Sequence, residues 1–142
     1  MTPNKPKVFV TLNRTPETVL VLDEHFDVEV WDGATSPPKS VLKQKAATHD
    51  AFLTEIDDLI DSEVLDSTAK LTIVANRGAG LANIDVPAAT SNGVLVCNIP
   101  DVNQETCADV AFGLMLAAAG QVLRADRTIR RGDAKIFQQT QK

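Results

Sequence analysis

Cysteine is scarce in this chain of 142 residues. Cys97 and Cys107 are the only two, they do not make a close metal-ligand pair, and neither has a second thiol nearby in sequence. Reduced thiols in a cytoplasmic protein are expected. Positive charge is in deficit: 14 Lys and Arg stand against 19 Asp and Glu, a net charge of −5, and the cations are scattered. The electrostatic footprint of a nucleic-acid binder is therefore lacking. The one late cluster, Arg124, Arg127, Arg130 and Arg131, has three members spaced for one helical face and reads as a solvated helix end favoured by the macrodipole. Long apolar runs are missing too. The longest, residues 110–119, falls well short of the roughly 20 residues of a membrane span. Lys5 and Lys7 precede only Val8-Phe9-Val10, which is too brief for a signal-peptide core. An unexported protein with neither membrane nor nucleic-acid partner is expected. The only histidines, His25 and His49, each stand beside a strand start and read as surface or edge residues.

What is present suits a folded domain. Hydrophobic residues make up 44% and charged residues 23%, an ordinary soluble balance, and the length can bury a single core. Short apolar runs alternate with helical patterns, the signature of βαβ units around a parallel sheet covered on both faces. Strands are expected at residues 7–12, 26–31, 51–53, 71–75 and 94–97. Helices are expected from Thr15-Pro16-Glu17 to about Glu24, over 40–47, 61–67 and 83–91. Five strands joined by helices make a flavodoxin-like α/β fold. Residues 104–132 contain no proline and read as one helix, roughly 43 Å long at 1.5 Å per residue. Between residues 108 and 119 it is apolar on nearly every side, so it should be buried against a second domain or a second subunit.

Two segments carry chemistry. The first, running from Ala75 through Gly78-Ala79-Gly80 to Asp85, is a glycine-bearing turn between a strand and a short helix. Glycine permits close approach and left-handed geometry, so free backbone N–H groups are offered to a carboxylate or phosphate; a purely structural turn is the alternative. As a dinucleotide fingerprint it fails, because Leu81-Ala82-Asn83 follows and the third glycine is absent. The second segment runs from Cys97-Asn98-Ile99-Pro100 through Asn103 to Cys107-Ala108-Asp109. Both segments follow strands, where open α/β sheets bind ligands, so they should lie close in space. The acids Glu55, Asp57, Asp58, Asp61 and Glu63 lack ligand partners nearby and read as solvated helix surface, with no metal site.

The order Gly78-Ala79-Gly80-Leu81-Ala82-Asn83-Ile84-Asp85, Ala88-Ala89-Thr90, Gly93-Val94, Asn98-Ile99-Pro100 and Ala108-Asp109 into a long helix resembles the D-isomer-specific 2-hydroxyacid dehydrogenases. The resemblance implies a flavodoxin-like substrate-binding domain over residues 1–100. Residues 101–142 would be an inter-domain helix leading into a Rossmann domain. It implies an NAD- or NADP-dependent oxidoreductase of small 2-oxo or 2-hydroxy acids, such as glyoxylate or hydroxypyruvate, and a homodimer formed through helix 104–132. By that resemblance the turn at Gly78, Ala79 and Gly80 holds the substrate carboxylate through backbone amides. Phe52 and Leu53 line the pocket from a loop after the third strand, Asn103 is an active-site residue, and Cys107 stands where a threonine often faces the nicotinamide.

The family's nucleotide loop, catalytic histidine, arginine and orienting glutamate come after the long helix, and this sequence reaches Lys142 before any of them. Neither His25 nor His49 matches the catalytic position. The expectation is a partial chain that is inactive by itself. The alternative is a stand-alone dimerising or small-anion-binding module derived from the same family.

Overall fold

The computed structural model describes residues 5–11 and 16–133. Along them run β1 (Lys7–Val10), α1 (Pro16–Asp23), β2 (Asp27–Val30), α2 (Lys39–Ala46), β3 (Ala51–Thr54), α3 (Ser62–Leu65), β4 (Ile73–Asn76), α4 (Val86–Ser91), β5 (Leu95–Cys97), α5 (Gln104–Ala119) and α6 (Val122–Arg130). The strands form one sheet in the order β2-β1-β3-β4-β5, and every neighbouring pair is parallel. This is the expected flavodoxin-like arrangement. Parallel neighbours cannot be joined by a tight hairpin, so a helical crossover separates each strand from the next. Thr15 as a helix cap and Leu12 as a strand end lie outside the described residues.

Side chains alternate across a strand, and burial follows that period. In β3 and β4 Phe52, Thr54, Val74 and Asn76 are buried, while Ala51, Leu53, Ile73 and Ala75 are half-buried. The register sets Phe9 beside Phe52 and Phe52 beside Val74. Leu42 and Ala46 of α2 and Val64 and Leu65 of α3 join this core, with Ile60, Leu71, Ile84, Ala89 and Val94. Each large side chain buried here contributes roughly 1.5–3 kcal/mol. α4 is closed by a Schellman turn: Val94 N–H reaches Ala89 O at 2.9 Å and Gly93 N–H reaches Thr90 O at 3.1 Å. Gly93 takes φ +68, the left-handed conformation that this motif needs.

Three sequence expectations are corrected. Phe52 and Leu53 are not in a loop: both lie inside β3, and the Phe52 ring packs edge-on against Phe9, centroids 5.7 Å apart, in the core. The long helix is present as the 16-residue α5, but it does not run unbroken to residue 132. It closes at Gly120, Gln121 turns left-handed at φ 52, and α6 sets off at 60°. Among the described residues no single helix is long and apolar enough to cross a membrane.

His49 is the third correction. It is buried rather than at the surface, because its ring meets Phe9 edge-on at 5.7 Å. Its Nε2 lies 3.1 Å from Glu29 Oε2, and its Nδ1 lies 3.0 Å from Thr48 Oγ1. Burial pushes the imidazole below its ordinary range, outweighing the pull of Glu29. Lys45, hydrogen-bonded to Glu29, holds that carboxyl below its usual value. A histidine with a depressed folded pKa takes up a proton on unfolding. Its share of stability is therefore full above about pH 6.5 and is lost as the pH falls toward the folded pKa. His49→Leu is expected to flatten the decline in unfolding midpoint that begins below about pH 6.5. Equal slopes for the two proteins in urea titrations would contradict this.

The chain divides into two compact units, Met1–Val102 and Asn103–Lys142. In the second, Val110, Phe112, Leu114, Met115 and Leu116 of α5 are exposed.

Candidate functional site

At the C-terminal ends of β3 and β4 the buried face of the sheet turns from apolar to polar. Thr54 and Asn76 are paired in register, and Thr54 Oγ1 donates to Asn76 Oδ1 at 3.1 Å. Beyond Asn76 the chain forms the loop that carries Gly78, Ala79 and Gly80, and Asn83 ends it. The amides of Asn76 and Asn83 bond reciprocally, at 3.3 and 3.4 Å. Asn83 Nδ2 also reaches the carbonyls of Glu55 at 3.1 Å and Asp58 at 3.0 Å. An Ile60–Ile84 bridge joins the same two segments. The glycine loop is thus tied to the loop after β3 by side-chain amides, which satisfy backbone carbonyls that no ladder reaches.

The carbonyls of the glycine loop are occupied. Gly78 O accepts from Ile99 N–H at 3.1 Å, Ala79 O from Asn98 Nδ2 at 2.7 Å, and Gly80 O from Asn76 Nδ2 at 2.9 Å. The donors are not: among the described residues the N–H groups of Gly78, Ala79, Gly80 and Leu81 have no acceptor. Ala79 and Gly80 are exposed, so their N–H groups carry no burial cost, whereas Gly78 is buried and Leu81 half-buried. Neither glycine takes a positive φ, which corrects the expected left-handed geometry. The two do different work. A Cβ on Gly78 would lie 2.3 Å from Ile56 Cγ2, so this glycine lets the two loops touch, whereas a Cβ on Gly80 would meet nothing within 4 Å.

Of the five acids expected on a solvated helix surface, Asp57 and Glu63 are exposed and Asp61 half-buried, but Glu55 and Asp58 are buried. Asp58 is wholly buried: its Oδ2 accepts from Thr11 Oγ1 and, at 2.7 Å, from Glu55 N–H, while Oδ1 has no partner among the described residues. Glu55 is nearly buried and faces Arg77, with Nη1 2.8 Å from Oε1 though off the angle of a hydrogen bond. Arg77 therefore neutralises a carboxylate that would otherwise repel an anion in the adjoining loop. Asp61 caps α3, accepting from Val64 N–H at 3.2 Å, and its pairing with Lys39 holds its carboxyl below the usual range. Among the described residues no three His, Cys, Asp or Glu gather to hold a metal.

Of the residues singled out in the sequence, Gly78, Ala79 and Gly80 form one exposed-edged loop, and Asn98 reaches it as the expected neighbour of that turn. Phe52 is core, and Leu53 is half-buried in β3, its carbonyl accepting from Thr11 N–H at 3.0 Å. Asn103 and Cys107 belong to the second unit. Asn103 caps α5 without a side-chain bond, its carbonyl accepts from Cys107 N–H at 2.8 Å, and both residues are exposed. Asn76 was missed, and so were the amide bonds by which Asn83 and Asn98 hold the loop, though asparagines flanking a glycine turn at a strand end are a signal of local amide bonding. A dinucleotide does not fit the helix starts that follow β3 and β4. Asp61 and Asp85 already place carboxylates there, with Asp85 accepting from Ala88 N–H at 2.9 Å, and these would repel a pyrophosphate.

The catalytic-domain model of the D-isomer specific 2-hydroxyacid dehydrogenases matches residues 8–139. The chain is 41% identical over 131 residues to the glyoxylate reductase of Pyrococcus horikoshii, covering 92% of this chain and 39% of that protein. It thus spans about two fifths of that relative's length. The crystal structure of a Pyrococcus horikoshii OT3 protein superposes with a TM-score of 0.81 at 29% identity, over 97% of this chain and 42% of that one. An NAD+-bound 3-phosphoglycerate dehydrogenase from Entamoeba histolytica shares the fold, with a TM-score of 0.63 at 22% identity, over 80% and 39% of the two chains. With the 2-1-3-4-5 parallel sheet, the glycine loop at its C-terminal edge and a family match over nearly the whole sequence, the chain belongs to the D-isomer specific 2-hydroxyacid dehydrogenases.

Proposed function

We propose that this chain supplies the carboxylate-gripping wall of an NAD(P)-dependent oxidoreductase that acts on small 2-oxo and 2-hydroxy acids such as glyoxylate or hydroxypyruvate. The observation that supports this is the pair of unoccupied N–H groups at Ala79 and Gly80, on an exposed loop at the carboxyl edge of a parallel sheet. Hydrogen bonds from such groups to a carboxylate are charge-assisted and about twice as strong as neutral ones.

We also propose that the isolated chain does not turn over substrate. Its two histidines precede β2 and β3 and so lie at the opposite edge of the parallel sheet from the glycine loop. Neither is placed to exchange a proton with an acid held there. The 142-residue chain is expected to bind oxamate or glyoxylate saturably in calorimetry, to ignore neutral glycolaldehyde, and to leave NADH unoxidised. Equal binding of the neutral analogue, or turnover, would count against the reading.

We further propose a homodimer through residues 104–132, because α5 exposes Val110, Phe112, Leu114, Met115 and Leu116. Light scattering is expected to give the mass of two chains; a stable monomer at micromolar concentration would contradict this. A stand-alone anion-binding module has the same loop and the same α5 face, and differs in needing no redox partner.

A further inference from the structure

Resting on the reading of the glycine loop as a carboxylate site, we infer that Asn98, with the Ile99 backbone, is the positioning element that gives the loop its two-pronged grip. In an extended strand successive carbonyls point to opposite sides, so consecutive N–H groups cannot reach one ligand. Here the carbonyls of Gly78 and Ala79 are both held by the adjacent residues 98 and 99, through Ile99 N–H at 3.1 Å and Asn98 Nδ2 at 2.7 Å. The loop must therefore curve around that segment.

A trans peptide carries its C=O and N–H on opposite edges of one plane, and no cis bond occurs among the described residues. Pinning the Gly78 and Ala79 carbonyls toward residues 98–99 turns the next two N–H groups, on Ala79 and Gly80, together to the opposite side. These are two of the donors left without an acceptor. Two adjacent N–H groups sharing a direction match the two oxygens of a carboxylate. The third carbonyl, on Gly80, is drawn to the buried Asn76 amide, which fixes the far end of the loop. Asn98 is exposed and its bond to Ala79 spans 19 residues, so losing its side chain frees the loop without opening the core.

The test uses the isotope-labelled 142-residue chain and its Asn98→Ala and Asn98→Gln variants, with oxamate as the probe. Asn98→Ala is expected to shift the Ala79 carbonyl carbon and Gly80 amide signals in the free protein, to weaken oxamate binding about tenfold, and to leave the urea midpoint unchanged. Tenfold corresponds to about 1.4 kcal/mol, the scale of one hydrogen bond. Asn98→Gln, which keeps the amide donor, is expected to recover part of both the signals and the affinity. Unmoved Ala79 and Gly80 signals in Asn98→Ala overturn the inference, whether or not affinity falls. So does a Gln variant no better than Ala. If the unaltered chain fails to bind oxamate while Asn98→Ala still moves those signals, the pinning stands and the carboxylate reading fails.

Discussion

Phe52→Ala is expected to destabilise the chain by about 3–5 kcal/mol, the usual cost of emptying a buried aromatic site. Phe52 is 1% exposed, edge-on to Phe9 and in register with Val74, with α2 and α3 closing the core beneath the sheet. Because β3 is central in the sheet order, its neighbours cannot close over the void without shifting β1 and β4. Domains of this size have roughly 5–15 kcal/mol in hand, so the variant should be largely unfolded at a few molar urea that the parent withstands. Chemical denaturation read by circular dichroism measures it. A variant that kept its midpoint but lost oxamate binding would return Phe52 to the pocket wall that the family resemblance gave it.

Gly80→Val should do the reverse. An added side chain at Gly80 enters open space, and the residue is not in the left-handed region, so neither clash nor backbone strain opposes it. Stability is expected to stay within about 0.5 kcal/mol, as for a surface change that breaks nothing. The isopropyl group would nevertheless stand over the N–H groups of the loop and exclude a carboxylate, with a loss of at least about tenfold in affinity, or roughly 1.4 kcal/mol. Gly78→Ala offers the contrast, since its new methyl would have to displace Ile56 Cγ2 from 2.3 Å. Calorimetric titration alongside urea denaturation separates the two cases. Unweakened oxamate binding by Gly80→Val would remove the loop from the site.

The sheet was legible because its signals are local. β-branched and aromatic runs at residues 7–10, 27–30 and 95–97 lie between helical patterns, and parallel order follows from the crossovers. Asn92-Gly93 was legible as a stop because only a left-handed residue completes that turn. The break after Ala119 was not: no proline marks it, and Gln121 takes a conformation that its residue type does not announce. The burial of Asp58 and His49 was hidden because their partners, Thr11 and Phe9, lie 40 or more residues earlier in sequence and meet them only in the folded chain. The glycine loop itself was visible as a pattern. The hydrogen bonds that Asn98 and Asn76 make to its Ala79 and Gly80 carbonyls were not, because they appear only when the ends of β4 and β5 lie side by side. Phe52 was misplaced for a different reason. The resemblance supplied a loop residue where the alternation of residues 51–54 places a core one.

The most direct test of the glycine loop is a residue-resolved amide titration of the 142-residue chain with oxamate. Saturable downfield shifts confined to the Ala79, Gly80 and neighbouring N–H signals are predicted, because those donors would exchange water for a carboxylate. Shifts centred on the arginines of α6, with the signals of residues 78–81 unmoved, would contradict the assignment of the carboxylate site.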